Sequence, residues 1–264
     1  MQSLNILIAG DGKSLKYILG SKLVKKLYIV SDNQFEGVTN IKFNTFKELA
    51  FKCKSLQIDI VLVENEKWIL QGIADVLRKH FINCVTPYSH WAKLSISGSD
   101  AKKMITKYGI NAPDTMAFPK SFPLMVRANG FSKIANTVQE VLKIRGEIQA
   151  CSAELAKTAY LEEYIEGKET KIVSIYDGKN VLSFNNSELS AEQIKMYAQS
   201  LQEMLNSEKA DFIGFITTNV IIREEKIYTT GFSVEFPDLD SNVDLIYILI
   251  SAIYQKLDEI ELLA

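Results

Sequence analysis

The chain predicts an α/β fold in which a parallel sheet covered by helices comes first and an α+β region of antiparallel hairpins follows. Three observations carry this prediction. Short apolar strand patterns alternate with helical patterns up to Pro87, strands after residue 160 come in pairs joined by turn signals, and 47% apolar against 23% charged residues in 264 supply one large or two modest cores.

The elements follow in order. Residues 4–9 form an apolar strand pattern ending at Gly10-Asp11-Gly12. A helix pattern over 14–23 and a strand over 26–30 complete a βαβ opening. After residues 40–43 come a helix over 46–54, a buried strand over 58–63, a helix over 69–80 and a strand over 81–87 stopped by Pro87. Strands so separated predict a parallel sheet with helices on both faces and a ligand crevice beyond the strand C-terminal ends. The pattern changes near Ser89. A largely polar helix over 90–108 ends at Ile110-Asn111-Ala112-Pro113, followed by a strand over 122–128, a helix over 134–144 and a strand over 160–165 closed by Glu166-Gly167. Residues 170–176 and 181–184 read as an antiparallel pair turning at Asp177-Gly178, and a helix over 192–205 follows. Strands over 212–222 and 226–230 turn at Arg223-Glu224-Glu225, and a closing helix over 242–257 has an apolar face. The domain division is expected at residue 90, giving 1–90 and 91–264 without a long linker or internal repeat.

Composition narrows the function classes. Lys plus Arg number 30 and Asp plus Glu 32, so a net charge of -2 supplies no global field for nucleic acid or a membrane surface. Cys53, Cys84 and Cys151 have no paired spacing, which argues against a disulfide scaffold or a zinc-thiolate site. The opening Met1-Gln2-Ser3 lacks the basic flank and apolar region of a signal peptide, and the apolar run at 245–250 is too short for a membrane span. A cytoplasmic location is expected.

Few residues carry chemistry by type and position. Gly10, Asp11 and Gly12 lie between a strand and a helix, where backbone amides either meet a phosphate or make a plain sheet-edge turn. Asn65 and Glu66 open a helix on the same side of the sheet, facing the crevice or complementing the helix dipole. His80 and His90 lack companions at ligand spacing, and Trp68 and Trp91 read as packing residues. Arg127 ends a buried strand, where it meets either phosphate oxygens or a carboxylate partner. Glu162, Glu163, Glu166 and Glu169 cluster around the next strand as acceptors for a ribose or adenine edge, or as a solvated acidic rim.

In this order the strings resemble the phosphoribosylamine–glycine ligases (glycinamide ribonucleotide synthetases) of the ATP-grasp superfamily. Leu7-Ile8-Ala9-Gly10-Asp11-Gly12 is similar to that family's opening glycine turn, and Glu64-Asn65-Glu66 through Gly72 and Asp75 to its Pro-Glu segment. Lys102 through Tyr108-Gly109-Ile110 resembles the linker into its ATP-binding domain. Pro123 through Gly130 resembles its strand ending Val-Lys-Ala-Asp-Gly, and Leu161 through Glu169 the strand along adenine and ribose. The resemblance implies a Rossmann-like pre-ATP-grasp domain, then an ATP-grasp-like domain, with the family's C-terminal domain absent. It implies ATP and Mg²⁺, Arg127 as the phosphate-contacting cation, and Glu162, Glu163, Tyr164, Ile165 and Glu169 around the nucleotide. Gly10, Asp11, Gly12, Asn65 and Glu66 would then face the second substrate.

Departures from the family are equally specific. Arg127 stands for a lysine, and the glycine-rich flap is replaced by Phe131-Ser132-Lys133-Ile134-Ala135-Asn136, leaving Lys133 as the substitute cation. The family's two principal metal ligands align with Gly231 and Ser233, so the metal would fall to Glu235 and Asp238. An acyl-phosphate-forming carboxylate–amine ligase with impaired or lost catalysis is one reading. An inactive homologue serving as a nucleotide sensor or protein-interaction scaffold is the other, and its partner is a second copy or another protein.

Overall fold

The computed structural model describes residues 3–184, 186–240 and 243–260. Contacts divide the chain into two compact units, one comprising 1–92, 173–217 and 234–264, the other 93–172 and 218–233.

The first unit holds a five-stranded, all-parallel sheet. Its strands are β1 (Leu4–Ala9), β2 (Val24–Val30), β3 (Thr39–Asn40), β4 (Ile60–Val63) and β5 (Cys84–Val85), in the order β3-β2-β1-β4-β5. Successive side chains of a strand point to opposite faces, so β1 and β4 feed two cores. Ile6, Ile8, Ile60 and Leu62 join one buried cluster, and Leu7, Ala9, Val61 and Val63 the other. The second cluster is closed by helices α2 (Phe46–Ser55), α3 (Glu66–Leu70) and α4 (Ile73–Lys79). The first is closed by the short helix α1 (Leu15–Ile18) and, later in the chain, by Leu245, Ile246, Ile248 and Leu249.

Two helices depart from expectation. The helix expected over 14–23 is only α1, because Leu19 turns extended and Gly20 takes φ +87°. That over 69–80 is split into α3 and α4 by Gly72 at φ +87°, a conformation a Cβ disfavours. The polar helix expected over 90–108 is likewise broken into α5 (Ser89–Ala92), a 3₁₀ turn at Lys93–Ser95 and α6 (Gly98–Lys107).

The second unit contains an antiparallel sheet of β6 (Thr115–Met116), β7 (Leu124–Ala128), β8 (Phe131–Ala135) and β9 (Tyr160–Glu163), ordered β6-β9-β7-β8. Its core is one face of this sheet, Leu124, Val126, Ala128 and Leu161, packed under Val141, Ile144 and Ile148 of α7 (Val138–Cys151). The expectation of a helix from residue 134 is corrected here. Residues 131–135 pair back on β7, and the helix begins only after Thr137, whose side chain accepts from the Glu140 N–H. Helix α8 (Ala153–Lys157) leads into β9.

Beyond it run β10 (Lys168–Tyr176), β11 (Val181–Ser183), α9 (Ala191–Ser207), β12 (Gly214–Arg223), β13 (Lys226–Ser233) and α10 (Leu245–Ile253). The expected hairpin at Asp177 forms, with the Asp177 carboxylate accepting from the Lys179 and Asn180 N–H groups. That between β12 and β13 turns on Glu224 and Glu225, both at positive φ, as tight two-residue hairpins require. The closing helix is α10; Asn242, where it was expected to start, lies outside the described residues.

Candidate functional site

The site is built from the register of β7 against β9. Val126 faces Leu161 on the core side, so Met125, Arg127, Tyr160 and Glu162 share the opposite face. Met125 lies opposite Glu162, and Arg127 opposite Tyr160, which makes Arg127 and Glu162 diagonal neighbours within reach of a long side chain. Arg127 Nε donates to Glu162 Oε1. From α6, Lys102 Nζ donates to the Pro113 carbonyl and reaches Glu162 Oε2 at 3.4 Å. The Glu162 side chain is 2% exposed and those of Lys102 and Arg127 are 10% and 21% exposed. One buried carboxylate is thus held between two cations, a set whose net charge remains positive.

The burial acts on the neighbours. Desolvation holds the Lys102 ammonium below its ordinary pKa, with Glu162 opposing and Arg127 reinforcing that shift. Burial, reinforced by the Glu162 charge, pushes the Tyr160 phenol up to about 12.

Over this face opens a cavity of about 490 Å³, the size range of small-ligand sites. Arg127, Glu162, Glu163, Tyr164, Ile165 and Glu169, the residues expected around a nucleotide, all line it. Lys171, Asn219 and Thr230 add polar groups to its wall. Gly167 is required beside it, since a Cβ there would lie 2.4 Å from the Ile222 carbonyl oxygen.

The other expected residues are placed elsewhere. Lys133 stands opposite Val126 in the β7–β8 register, on the helix side of the sheet, and donates to Glu147 of α7 at 2.7 Å. It is therefore not brought to Arg127, because strand alternation turns it away. Glu235 and Asp238 belong to the first unit, both exposed, with Asp238 paired to Lys16 at 3.0 Å. Among the described residues no group of three or more His, Cys, Asp or Glu is placed to hold a metal ion. Glu235 and Asp238 therefore do not gather with a third such side chain among the described residues.

In the first unit, the turn Gly10-Asp11-Gly12 follows β1 as expected. Glu64, just past β4, sends its carboxylate to the N–H groups of Gly12, Lys13 and Ser14 at 2.8, 2.9 and 2.6 Å. Asn65 caps α3 by accepting from the Trp68 N–H, and Glu66 opens that helix. Trp68 packs edge-on to Phe43, and Trp91 lies against Phe212. Glu64 and Lys102 are the two residues that reading by type and spacing left out of the site. Glu64 stands beside Asn65 and Glu66, which carry the signal, while Lys102 is distinguished only by its tertiary burial.

No family model matches the chain. It is 20% identical to the phosphoribosylamine–glycine ligase of Fusobacterium nucleatum, an alignment covering 98% of this chain and 75% of that protein. It is 28% identical to the trifunctional purine biosynthetic protein adenosine-3 of Homo sapiens over 67% of this chain and 20% of that one. Among solved structures, phosphoribosylamine–glycine ligase from Thermotoga maritima superposes with a TM-score of 0.71 at 15% identity, covering 98% of this chain and 76% of its own. D-alanine–D-alanine ligase from Bacillus anthracis complexed with ATP superposes with a TM-score of 0.59 at 17% identity, covering 98% of this chain and 100% of its own. No helix among the described residues is long and apolar enough to cross a membrane. The chain thus has the fold seen in these ligases and is similar in sequence, along almost its whole length, to phosphoribosylamine–glycine ligases.

Proposed function

We propose that the second unit binds ATP in the cavity over β7 and β9, and that the chain descends from ATP-dependent carboxylate–amine ligases with catalysis impaired or lost. The observation that carries this reading is the convergence of Arg127, Glu162, Glu163, Tyr164, Ile165 and Glu169 on one cavity wall. Arg127 supplies positive charge at the cavity wall, with a planar fork suited to two phosphate oxygens at once, while Lys102 is held behind it on the Pro113 carbonyl and Glu162. Tyr164 and Ile165 follow the end of β9 and line the cavity, where backbone past a strand end can present its polar groups to a base edge. Glu169 is exposed at the cavity rim, an acceptor for ribose hydroxyls.

Bound ATP would supply the phosphoryl group that activates a carboxylate for capture by an amine. Phosphoryl transfer depends on positioned cations around the transferring group. Here Lys133 is committed to Glu147, and Gly231 and Ser233 offer no side-chain carboxylate. These features favour binding without turnover. A nucleotide-sensing or protein-interaction scaffold is therefore the second reading.

Calorimetric titration with ATP, with and without Mg²⁺, separates the outcomes. Binding in wild type that is weakened at least about tenfold in Arg127→Ala, the worth of a charge-assisted hydrogen bond, supports the nucleotide site. No heat under either condition would overturn it. Phosphate release in the presence of candidate carboxylates and amines then distinguishes an active ligase from an inert one.

A further inference from the structure

We propose that Glu64 is a built-in anion that seals the glycine turn after β1, so that no ligand of this chain is anchored there through a phosphate. The inference rests on the first unit alone and is independent of ATP binding in the second.

Three successive N–H groups converging on one point form an anion-binding concavity. In this chain the concavity is filled from within. Gly12 and Lys13 donate to Glu64 Oε2 at 2.8 and 2.9 Å, and Ser14 donates to Oε1 at 2.6 Å, so both carboxylate oxygens are engaged. Glu64 is 4% exposed and Ser14 is fully buried. The backbone is shaped to this contact. Glu64 N–H donates to the Ala9 carbonyl at 3.0 Å, fixing the residue beside the end of β1. Gly10 has no room for a side chain, since a Cβ would lie 2.6 Å from Glu64 Cβ. Gly12 has φ +84°, and a Cβ there would lie 2.8 Å from the Phe35 ring.

A phosphate at this turn would have to displace a carboxylate already tethered and oriented, which competes at an effective concentration far above that of a free solute. The displaced Glu64 would be left buried without its donors, a costly state for a charged group. Glu64 is thus a specificity-determining residue. It turns an anion cradle into a closed corner and restricts any second substrate to one not held here by a phosphoryl group.

The test is titration of the ¹⁵N-labelled full chain with inorganic phosphate and with ribose 5-phosphate, following the Gly12, Lys13 and Ser14 amides. Wild type is expected to show no saturable shift at these amides, and Glu64→Ala to gain one with at least inorganic phosphate. Saturable shifts in wild type, or a folded Glu64→Ala that responds to neither anion, would overturn the proposal. Should Glu64→Ala not fold, amide exchange is compared in Glu64→Gln. Loss of the charge-assisted bonds is expected to speed exchange at the three amides about tenfold, and unchanged rates would contradict a carboxylate seal.

Discussion

At Glu162 a single carboxylate, 2% exposed, serves both Arg127 and Lys102. Removing one member of a buried ion pair leaves an uncompensated charge and costs about 3–5 kcal/mol. Glu162→Ala is therefore expected to lower stability by about that amount in urea unfolding, whereas Glu169→Ala, at an exposed position, is expected to change it by less than about 0.5 kcal/mol. Equal effects would show that the buried set is not held by its charges. Thiol chemistry gives a second residue-scale check. Burial pushes Cys53 and Cys84 up to about 12, while Cys151 is exposed, so a thiol reagent at pH 8 should modify Cys151 alone in the native state. Much of this scale was legible in advance. Arg127 and the Glu162–Glu169 run stood out by residue type at a strand end. Lys102 did not, because nothing in a polar helix marks which lysine will be buried.

Among the elements, β8 shows why patterning failed where it did. Ile134, Val138 and Leu142 recur at helical spacing, yet they are 45%, 49% and 65% exposed. The period they trace is that of a surface, and the turn at Asn129-Gly130 decides instead, folding 131–135 back on β7. The helices are shorter than their apolar spacing implies for a related reason, since Gly20 and Gly72 act through positive φ that the spacing does not report. Gly72→Ala is expected to cost about 1–2 kcal/mol, the penalty of a Cβ in the left-handed region. At the start of α9, Ser190 and Gln193 form a reciprocal capping box. Ser190→Ala should lower stability by about 1 kcal/mol, read as a shift in the urea midpoint. By contrast β1, β4 and α2 were visible as sequence, because local propensity and burial agree in them.

Over the whole molecule, sequence patterning conveyed the class of each half and not the path of the chain. Residues 173–217 and 234–264 return to the unit that opens the chain, and α10 covers the cluster begun by β1. No local signal announces such a return, since an apolar helix face does not state which sheet it will meet. Titration of buried groups acts at this scale. Cys53 and Cys84 rise from 9.0 to about 12, and Tyr160 and Tyr176 from 10.0 to about 12. For these acids the unfolded chain releases its protons first, so their contribution is complete below pH 9 and is lost as pH rises towards 12. Lys102, held below 10.5, acts in the opposite sense. The urea midpoint is expected to be lower at pH 10.5 than at pH 8, with the thiols and phenols outweighing one lysine. The central claim, that the second unit keeps a nucleotide site, is tested most directly by hydrogen exchange of the full chain with and without ATP. The account predicts added protection concentrated in residues 124–128 and 160–169, the strands and rim around Arg127 and Glu162. Protection absent from these residues at saturating ATP would contradict it.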